Sequence, residues 1–513
     1  MTVSETKNEP VRMFEPFYLT CLDHTVGPVF MNFFLSFRCS NIEECLIATN
    51  QGITGLIDRL PFLTGDVIQT TTPDGRKNVM QVVPSSSLID EVPMISTKEH
   101  PHQIIPNTLL QIKAGASKAQ NFASLDDSYV PPVSLLPLSP GPRPVFRVQV
   151  NVLADGLVLA IGFHHSVFDA RGAGRLIEIL AECCSGPGSH SLKPTTEIED
   201  EINLRRLVDN TGILTTGSFR PRKDEGQNSS IETSAMDSDW VLPKLDVYSF
   251  HFSAAAVAQL KNACNSVLSD IQSREYDDAR PGGESKHPRQ EFISTNDILT
   301  ALVALDIYKA RSRHIKDGQT EVNAEMVMIV DLREKLACLP SSYLGNGVSL
   351  VRTHANAHHA LPNPAVSVSK PNLHPTIGNA TLLEITALAL QLRQKLALMD
   401  DANMRQDLAR LMSNKDWSQL GTRLPDTMVS SWRQLKTCRL DFGPALGRIA
   451  EFNPQATLLD GFCIIQPERA DDGCEEKPGW EVYVTLQSDA MGSFLQNGVF
   501  STLSQDKVAR YIS

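Results

Sequence analysis

The 513-residue sequence lacks an excess of basic side chains, since 47 Lys and Arg residues stand against 59 Asp and Glu residues and give a net charge of −12. Nucleic-acid backbones are bound by a positive field, so this balance argues against nucleic acid as the main partner. It still allows a small anionic ligand in a local basic pocket. The sequence also lacks any stretch of about 18 apolar residues, so we expect no membrane-spanning helix.

Signals for export or disulfide formation are also missing. The first residues, MTVSETKNEPVRMFEP, contain no apolar run after a basic start and do not resemble a signal peptide. Ten Cys residues are scattered along the chain without a C-x-x-C pair, which indicates reduced thiols. We therefore expect a cytoplasmic protein.

Several signatures of other enzyme classes are absent. The sequence contains no Walker loop, no G-x-G-x-x-G and no G-x-S-x-G elbow, which argues against nucleotide hydrolysis, dinucleotide redox chemistry and the usual α/β-hydrolase mechanism. His354, His358 and His359 have the i, i+4 spacing of helical metal ligands. They lie in a stretch rich in Pro, Asn and Ala without a nearby acidic ligand, so we predict no metal site there.

The apolar pattern predicts an α/β protein with mixed (α+β) sheets, built in two halves. The length favours two domains over three, and an apolar content of 42% is ample for a large core. Strand-like segments such as 145–152 and 157–163, joined by a turn at Asp155-Gly156, alternate with helical segments without a strict βαβ rhythm. Residues 185–242 are polar and weakly periodic, which indicates a long crossover between the halves.

The segment from His164 to Asp169 is the main candidate for chemistry. It ends an apolar strand and precedes a helix that opens with small residues, a position where a side chain is exposed while its backbone is fixed. Histidine is well suited to take a proton near neutral pH. The residues alone leave open whether His164 and His165 are catalytic or a buried structural pair.

Further segments follow in an order that resembles one enzyme family. With the His165 segment, these stretches are LTCLD at 19–23, PVFRVQ at 144–149, STND at 294–297, VDLR at 330–333, YLGN at 343–346, SSW at 430–432 and LDFG at 440–443. In these stretches the chain resembles the BAHD acyltransferase superfamily, in its fungal, trichothecene 3-O-acetyltransferase-like branch, over about residues 17–496. Two departures are Ala170 in place of the family's glycine and the missing tryptophan after Gly443.

The resemblance implies a fold and an activity. It implies two chloramphenicol-acetyltransferase-like domains, at 1–190 and 246–513, joined by a crossover at 191–245, with the active site in a channel between them. It implies acyl transfer from acyl-CoA, by default acetyl-CoA, to a hydroxyl of a specialised metabolite such as a terpenoid, alkaloid or polyketide. CoA is then a co-substrate, with no other bound cofactor, and the protein is expected to be a monomer.

The resemblance also assigns roles to residues. His165 is the expected general base, and Trp432 the expected oxyanion donor through its indole N–H, although it could be a plain core aromatic. Asp169 either orients His165 or pairs with Arg333, and we favour the pair. Asp441 is expected to give structural support. Ser294, Thr295 and Ser430 are expected near CoA, although the first two could simply cap a helix, and Lys286 and Arg289 are candidates for its phosphates.

Other functions stay open at this point. One alternative is a condensation-type or cyclase enzyme on the same fold, which would not use free acyl-CoA. A second is N-acylation, and a third is a binding protein without catalysis. The sequence does not identify the acceptor or the acyl chain length.

Overall fold

The structure is a computed structural model, and it describes residues 12–85, 92–105, 128–137, 141–186, 198–216, 244–278, 292–313, 324–333, 335–356, 373–421, 423–455, 457, 459–469 and 478–511. The longer helices are α1 (Ile42–Arg59), α2 (Ala170–Cys184), α3 (Ile198–Thr216), α4 (Ala254–Asp278), α5 (Thr295–Ser312), α6 (Asn379–Ala397) and α7 (Asp401–Met412). Shorter ones are α8 (Gly443–Leu446), α9 (Ser488–Asn497) and α10 (Val499–Leu503).

The strands form three sheets. In chain order they are β1 (Phe17–Tyr18), β2 (Phe30–Arg38), β3 (Asp66–Thr70), β4 (Val79–Val83), β5 (Ile95–His100), β6 (Arg143–Pro144), β7 (Phe146–Leu153) and β8 (Gly156–His164). They continue with β9 (Leu245–Phe252), β10 (Glu325–Asp331), β11 (Val348–His354), β12 (Thr427–Ser431), β13 (Glu451–Pro454), β14 (Phe462–Ile465), β15 (Trp480–Gln487) and β16 (Asp506–Tyr511). The sheet orders are β1-β4-β3-β6, β13-β2-β8-β7-β5 and β11-β10-β12-β14-β15-β9-β16.

The five-stranded sheet carries the candidate catalytic segment at the end of β8. The predicted hairpin is present, with β7 and β8 antiparallel around Ala154 and Asp155. One face of the sheet packs against α1 and α2 in an apolar core that includes Phe33, Phe163 and Leu176. Burial of these aromatic and aliphatic side chains removes apolar surface from water and fixes the strand that precedes His165.

The seven-stranded sheet belongs to the C-terminal half and has its own core. Here β10, β12 and β14 run parallel, while β14, β15, β9 and β16 are antiparallel neighbours. Helix α5 is buried over most of its length in the core of this half. The two sheets with separate cores agree with the mixed-sheet, two-half architecture expected from the sequence.

The two halves are interlocked. Strand β13 comes from the C-terminal half but pairs with β2 of the N-terminal sheet, from Glu451 opposite Ser36 to Pro454 opposite Phe33. Helix α3 lies within the predicted crossover at 191–245, whose other described residues are 244 and 245. The domain boundaries themselves stay a prediction. None of the helices in the described ranges is long and apolar enough to cross a membrane.

Candidate active site

His165 lies directly after β8, and its backbone is held on both sides. Its N–H donates to the Val29 carbonyl at 2.8 Å, and its carbonyl accepts from Asn346 Nδ2 at 2.9 Å. The side chain is partly exposed, and Nδ1 has no hydrogen-bond partner within the described residues. Burial lowers the pKa of the ring below its ordinary value, against opposing contributions from backbone carbonyls and Asp169. The ring is therefore neutral near pH 7 and can accept a proton.

His164, its neighbour, has a different environment. It is 2% exposed, and its Nδ1 accepts from the Ser166 N–H at 3.3 Å. Burial and the nearby charge of Arg143 lower the pKa of His164 to about 3. His164 is thus the fully buried histidine of the pair, and His165 is the one whose side chain is partly exposed.

Asp169 is paired with Arg333, as favoured from the sequence. Arg333 Nη1 and Nη2 donate to the two carboxylate oxygens at 3.0 and 3.1 Å, and the N–H groups of Gly172 and Gly347 donate at 2.8 and 2.9 Å. Burial raises the pKa of the Asp169 carboxyl, but the charge and hydrogen bonds of Arg333 outweigh it and hold the pKa below its ordinary value. None of these four donors belongs to the His165 ring. The carboxylate therefore holds together the loop after β8 and the start of α2.

The glycine that this turn requires is Gly172 rather than position 170. A Cβ on Gly172 would lie 1.9 Å from the carbonyl oxygen of Leu344, which no side chain could tolerate without a backbone shift. Ala170 is partly exposed at the start of α2. This departure from the family pattern therefore leaves the close approach of α2 to the 343–347 turn intact.

A second buried network holds the same loop, and sequence reasoning did not identify its role. Asp23 accepts from Arg205 Nη1 at 2.8 Å and from the backbone N–H and side-chain amide of Asn346 at 2.8 and 3.0 Å. Arg205 then donates to the Val167 carbonyl at 2.9 Å, while Asn346 donates to that of His165. Asp23, Arg205 and Asn346 are at most 2% exposed. Through these three residues, the turn at Leu22–His24, helix α3 and the 343–347 turn together fix the position of the His165 backbone.

Ser430, in β12 of the seven-stranded sheet, and Trp432, just after that strand, form a hydrogen-bonded pair. The indole N–H of Trp432 donates to Ser430 Oγ at 2.9 Å. Phe33 packs between the two halves, with ring centroids 5.3 Å from Trp432 and 4.9 Å from Phe163, two residues before His165. The expected free indole N–H is therefore already satisfied by Ser430, whose hydroxyl can still donate.

The other predicted site residues have separate places. Ser294 caps α5 in a capping box with Asp297, which also pairs with Arg393. Asp441 is exposed and accepts from the Gly443 N–H at 2.9 Å in a turn, and it makes no contact with His165 among the described interactions. Thr295 lines the groove described next.

A basic groove of about 670 Å³ opens beside Thr295 and the residues that follow Trp432. Its lining contains four cationic side chains, Lys261, Arg433, Lys436 and Arg439, against one carboxylate, Glu468. Arg433 lies over the Trp480 ring at 4.3 Å and donates to Glu468 at 2.9 Å. Burial and the neighbouring charge of Arg439 lower the pKa of Arg433 to about 10, as expected where cations outnumber anions. Arg439 also donates to Glu468, so the lining keeps a net positive charge, which favours an anionic ligand.

Two sequence expectations cannot be located. Lys286 and Arg289 lie outside the described residues, and so do His358 and His359. Within the described ranges, no group of three or more His, Cys, Asp or Glu side chains could hold a metal ion.

The chain is similar to known acyltransferases in sequence. A family model described as Transferase family matches residues 118–500, and one described as Trichothecene 3-O-acetyltransferase-like N-terminal domain matches residues 31–184. The chain is 33% identical over 496 residues to Fumigaclavine B O-acetyltransferase of Aspergillus fumigatus, covering 95% of this chain and 97% of the relative. It is also 33% identical over 503 residues to an O-acetyltransferase of Aspergillus campestris, covering 96% and 97%.

Among solved structures, F. graminearum TRI101 complexed with Coenzyme A and T-2 mycotoxin is similar with a TM-score of 0.64. The sequences are 18% identical, and the match covers 97% of this chain and all of that one. At this identity the likeness concerns the fold, and it confirms the two-domain acyltransferase architecture expected from the sequence.

Proposed function

The chain belongs to the Transferase family, as a BAHD-type acyltransferase of the fungal trichothecene 3-O-acetyltransferase-like branch, and from this premise we propose that it moves an acetyl group from acetyl-CoA to a hydroxyl of a specialised metabolite. The observation that carries the proposal is the His165 ring. It is neutral near pH 7, is partly exposed and follows a backbone position fixed by two buried networks. Such a ring is suited to general-base catalysis.

In the proposed mechanism, His165 takes the proton of the acceptor hydroxyl. The oxygen attacks the thioester carbonyl carbon, and a tetrahedral intermediate forms while acetyl-CoA and acceptor are both bound. When the C–S bond breaks, the protonated ring returns its proton to the leaving thiolate, so the products are the acetyl ester and CoA. General-base help contributes about 10²–10⁴-fold in rate, and alignment of the two substrates supplies a further share.

We assign the oxyanion donor to Ser430 acting with Trp432. Ser430 Oγ accepts the indole N–H and has its own hydroxyl proton left to donate to the developing negative charge. The bond from Trp432 fixes the direction of that hydroxyl and increases its donor strength, because hydrogen bonds in a chain polarise one another. Trp432 then contributes through Ser430, which refines the role expected from the sequence.

We assign the phosphates of CoA to the basic groove. CoA carries a diphosphate and a 3′-phosphate, and the groove offers Lys261, Arg433, Lys436 and Arg439. The N-terminus of α5 at Thr295 adds backbone N–H groups, which favour anions. Because the segment 433–436 directly follows Trp432, a CoA bound here could extend its thiol arm toward Ser430. Ser294 is then a capping residue beside the groove.

The test is acetyl transfer from acetyl-CoA to a panel containing fumigaclavine B, deoxynivalenol and T-2 toxin, with tryptamine as an amine. We expect a gain of one acetyl group by mass spectrometry, together with equimolar release of free CoA thiol. Acetylation of tryptamine alone would indicate an N-acyltransferase. If the protein neither binds CoA nor releases its thiol with any acceptor, the condensation or cyclase alternative gains and the proposal fails.

A further inference from the structure

Gln466 is a buried amide beside the candidate oxyanion donors. It directly follows β14, and the strand register places it in a row with residues of the neighbouring strands of the seven-stranded sheet. The backbone N–H of Trp432 donates to the Ile465 carbonyl at 2.8 Å, and the backbone N–H of Gln466 donates to the Glu481 carbonyl at 2.8 Å. Glu481 in turn lies opposite His251. Since side chains opposite one another share a face, Trp432, Gln466, Glu481 and His251 line the same side of the sheet.

Gln466 differs from its neighbours in this row in having no partner for its side chain. The Glu481 carboxylate accepts from three described side chains, Ser249 at 2.6 Å, Arg469 at 2.8 Å and Arg510 at 3.1 Å. The Trp432 indole donates to Ser430. Gln466 is only 3% exposed, yet neither its Oε1 nor its Nε2 has a hydrogen-bond partner within the described part of the chain.

We propose that the side-chain amide of Gln466 binds a substrate at this face of the seven-stranded sheet. A buried amide that makes no hydrogen bond is costly, and native proteins satisfy nearly all such groups. A primary amide offers an acceptor and a donor side by side, so the complementary group is a neutral one that both donates and accepts. Secondary amides and hydroxyls have this chemistry.

Two substrates could supply that group, and this inference rests on the proposed function. The pantetheine arm of acetyl-CoA contains secondary amides, and Glu468, two residues beyond Gln466, already lines the basic groove. The acceptor could instead present a second hydroxyl or an amide. In either case Gln466 lies in the same row as Trp432 and two residues before Glu468 of the groove.

Thermal unfolding of Gln466→Met, measured without any substrate, tests whether the Gln466 amide lacks a hydrogen-bond partner within the protein. Methionine keeps the chain length but removes an amide that lacks protein partners, so the midpoint should stay unchanged or rise by about 1–2 °C. The matched control is Gln149→Met, because the fully buried Gln149 donates to the Ser128 carbonyl and Asn151 Oδ1, both at 2.8 Å. That control should lower the midpoint. A comparable loss for Gln466→Met would overturn the proposal.

Ligand binding identifies the source. If the pantetheine amide is the partner, Gln466→Met should weaken CoA binding about 3–10-fold while leaving adenosine 3′,5′-bisphosphate binding unchanged. If the acceptor is the partner, CoA binding stays as in the wild type and kcat/KM falls about 3–10-fold for the panel alcohols that the wild type acetylates. No change in either would overturn the proposal, whereas wild-type protein that binds no CoA would overturn the proposed function instead.

Discussion

Asp169 and Arg333 form a buried, two-point ion pair that joins the start of α2 to the segment after β10. Both residues are at most 4% exposed, and Arg333 also donates to the carbonyls of Tyr343 and Gly345. The carboxylate is therefore committed to the loop that presents His165 rather than to its ring. At this site the aspartate holds in place the segment that carries His165, and the four donors to its carboxylate do not include the His165 ring.

Breaking this pair should destabilise the fold. Removing one member leaves the other as an unpaired buried charge, so Asp169→Asn should lower the free energy of unfolding by about 3–5 kcal/mol, measured by urea denaturation. The double variant Asp169→Asn/Arg333→Met removes both charges and should cost less than the sum of the two single variants. If Asp169→Asn kept full stability and lost only kcat, the aspartate would be an orienting partner of His165.

The activity should depend on pH through His165. Only the neutral ring accepts a proton, and burial lowers its pKa below the ordinary value of about 6.5. Acetyl transfer should therefore be flat above that pH, and kcat/KM should fall only at more acidic values. His165→Ala should remain folded, judged by circular dichroism, and lose transfer at every pH. An acidic limb centred above pH 6.5 would contradict the lowered pKa inferred for this ring.

Stability should also decrease with acid, because of His164. Its pKa of about 3 in the folded chain is below the ordinary histidine value, so the unfolded chain binds a proton that the folded chain excludes. The contribution is present above about pH 6.5 and is lost progressively as the pH falls toward 3. His164→Asn should flatten this part of the curve of unfolding free energy against pH.

The lining of the basic groove predicts which substitutions weaken acetyl-CoA binding. Lys436 is exposed on its lining, and Lys436→Ala should raise KM for acetyl-CoA about 3–10-fold by removing a charged phosphate contact, with kcat little changed. Lys415→Ala is the matched control, since Lys415 is exposed but does not line the groove. Added salt should narrow the difference between wild type and Lys436→Ala. Equal effects of the two substitutions would argue against CoA binding in the groove.

The sequence identified the His165 segment because its signals are local. An apolar strand ends at His164, Asp169 follows after a short loop, and a helix that opens with small residues comes next. The strand end, the loop and the helix could therefore all be predicted. The sequence did not reveal the contacts of Asp23, because Arg205 lies 182 residues away and Asn346 lies 323 away. Helix α3, which carries Arg205, was hidden in a polar stretch with weak periodicity.

The basic groove escaped prediction for a similar reason. Its cations come from α4 and from the segment after Trp432, and they do not form a run of basic residues in the sequence. Proximity along the chain pointed instead to Lys286 and Arg289. Likewise, nothing in the segment FCIIQP distinguishes Gln466 as a buried amide without a partner. Only the register of β14 with its neighbours places it beside Trp432.

The pair Ser430 and Trp432 gives the sharpest test of the transition state. If the Ser430 hydroxyl donates to the oxyanion, Ser430→Ala should lower kcat about 10²–10³-fold with little change in KM for either substrate. Trp432→Phe keeps the aromatic packing against Phe33 but removes the N–H that fixes Ser430, so it should lower kcat by less. The double variant should cost about as much as Ser430→Ala alone, since the indole acts through the hydroxyl. Additive losses would mean instead that the indole reaches the substrate directly, and a change confined to KM would mean that both residues only shape the pocket.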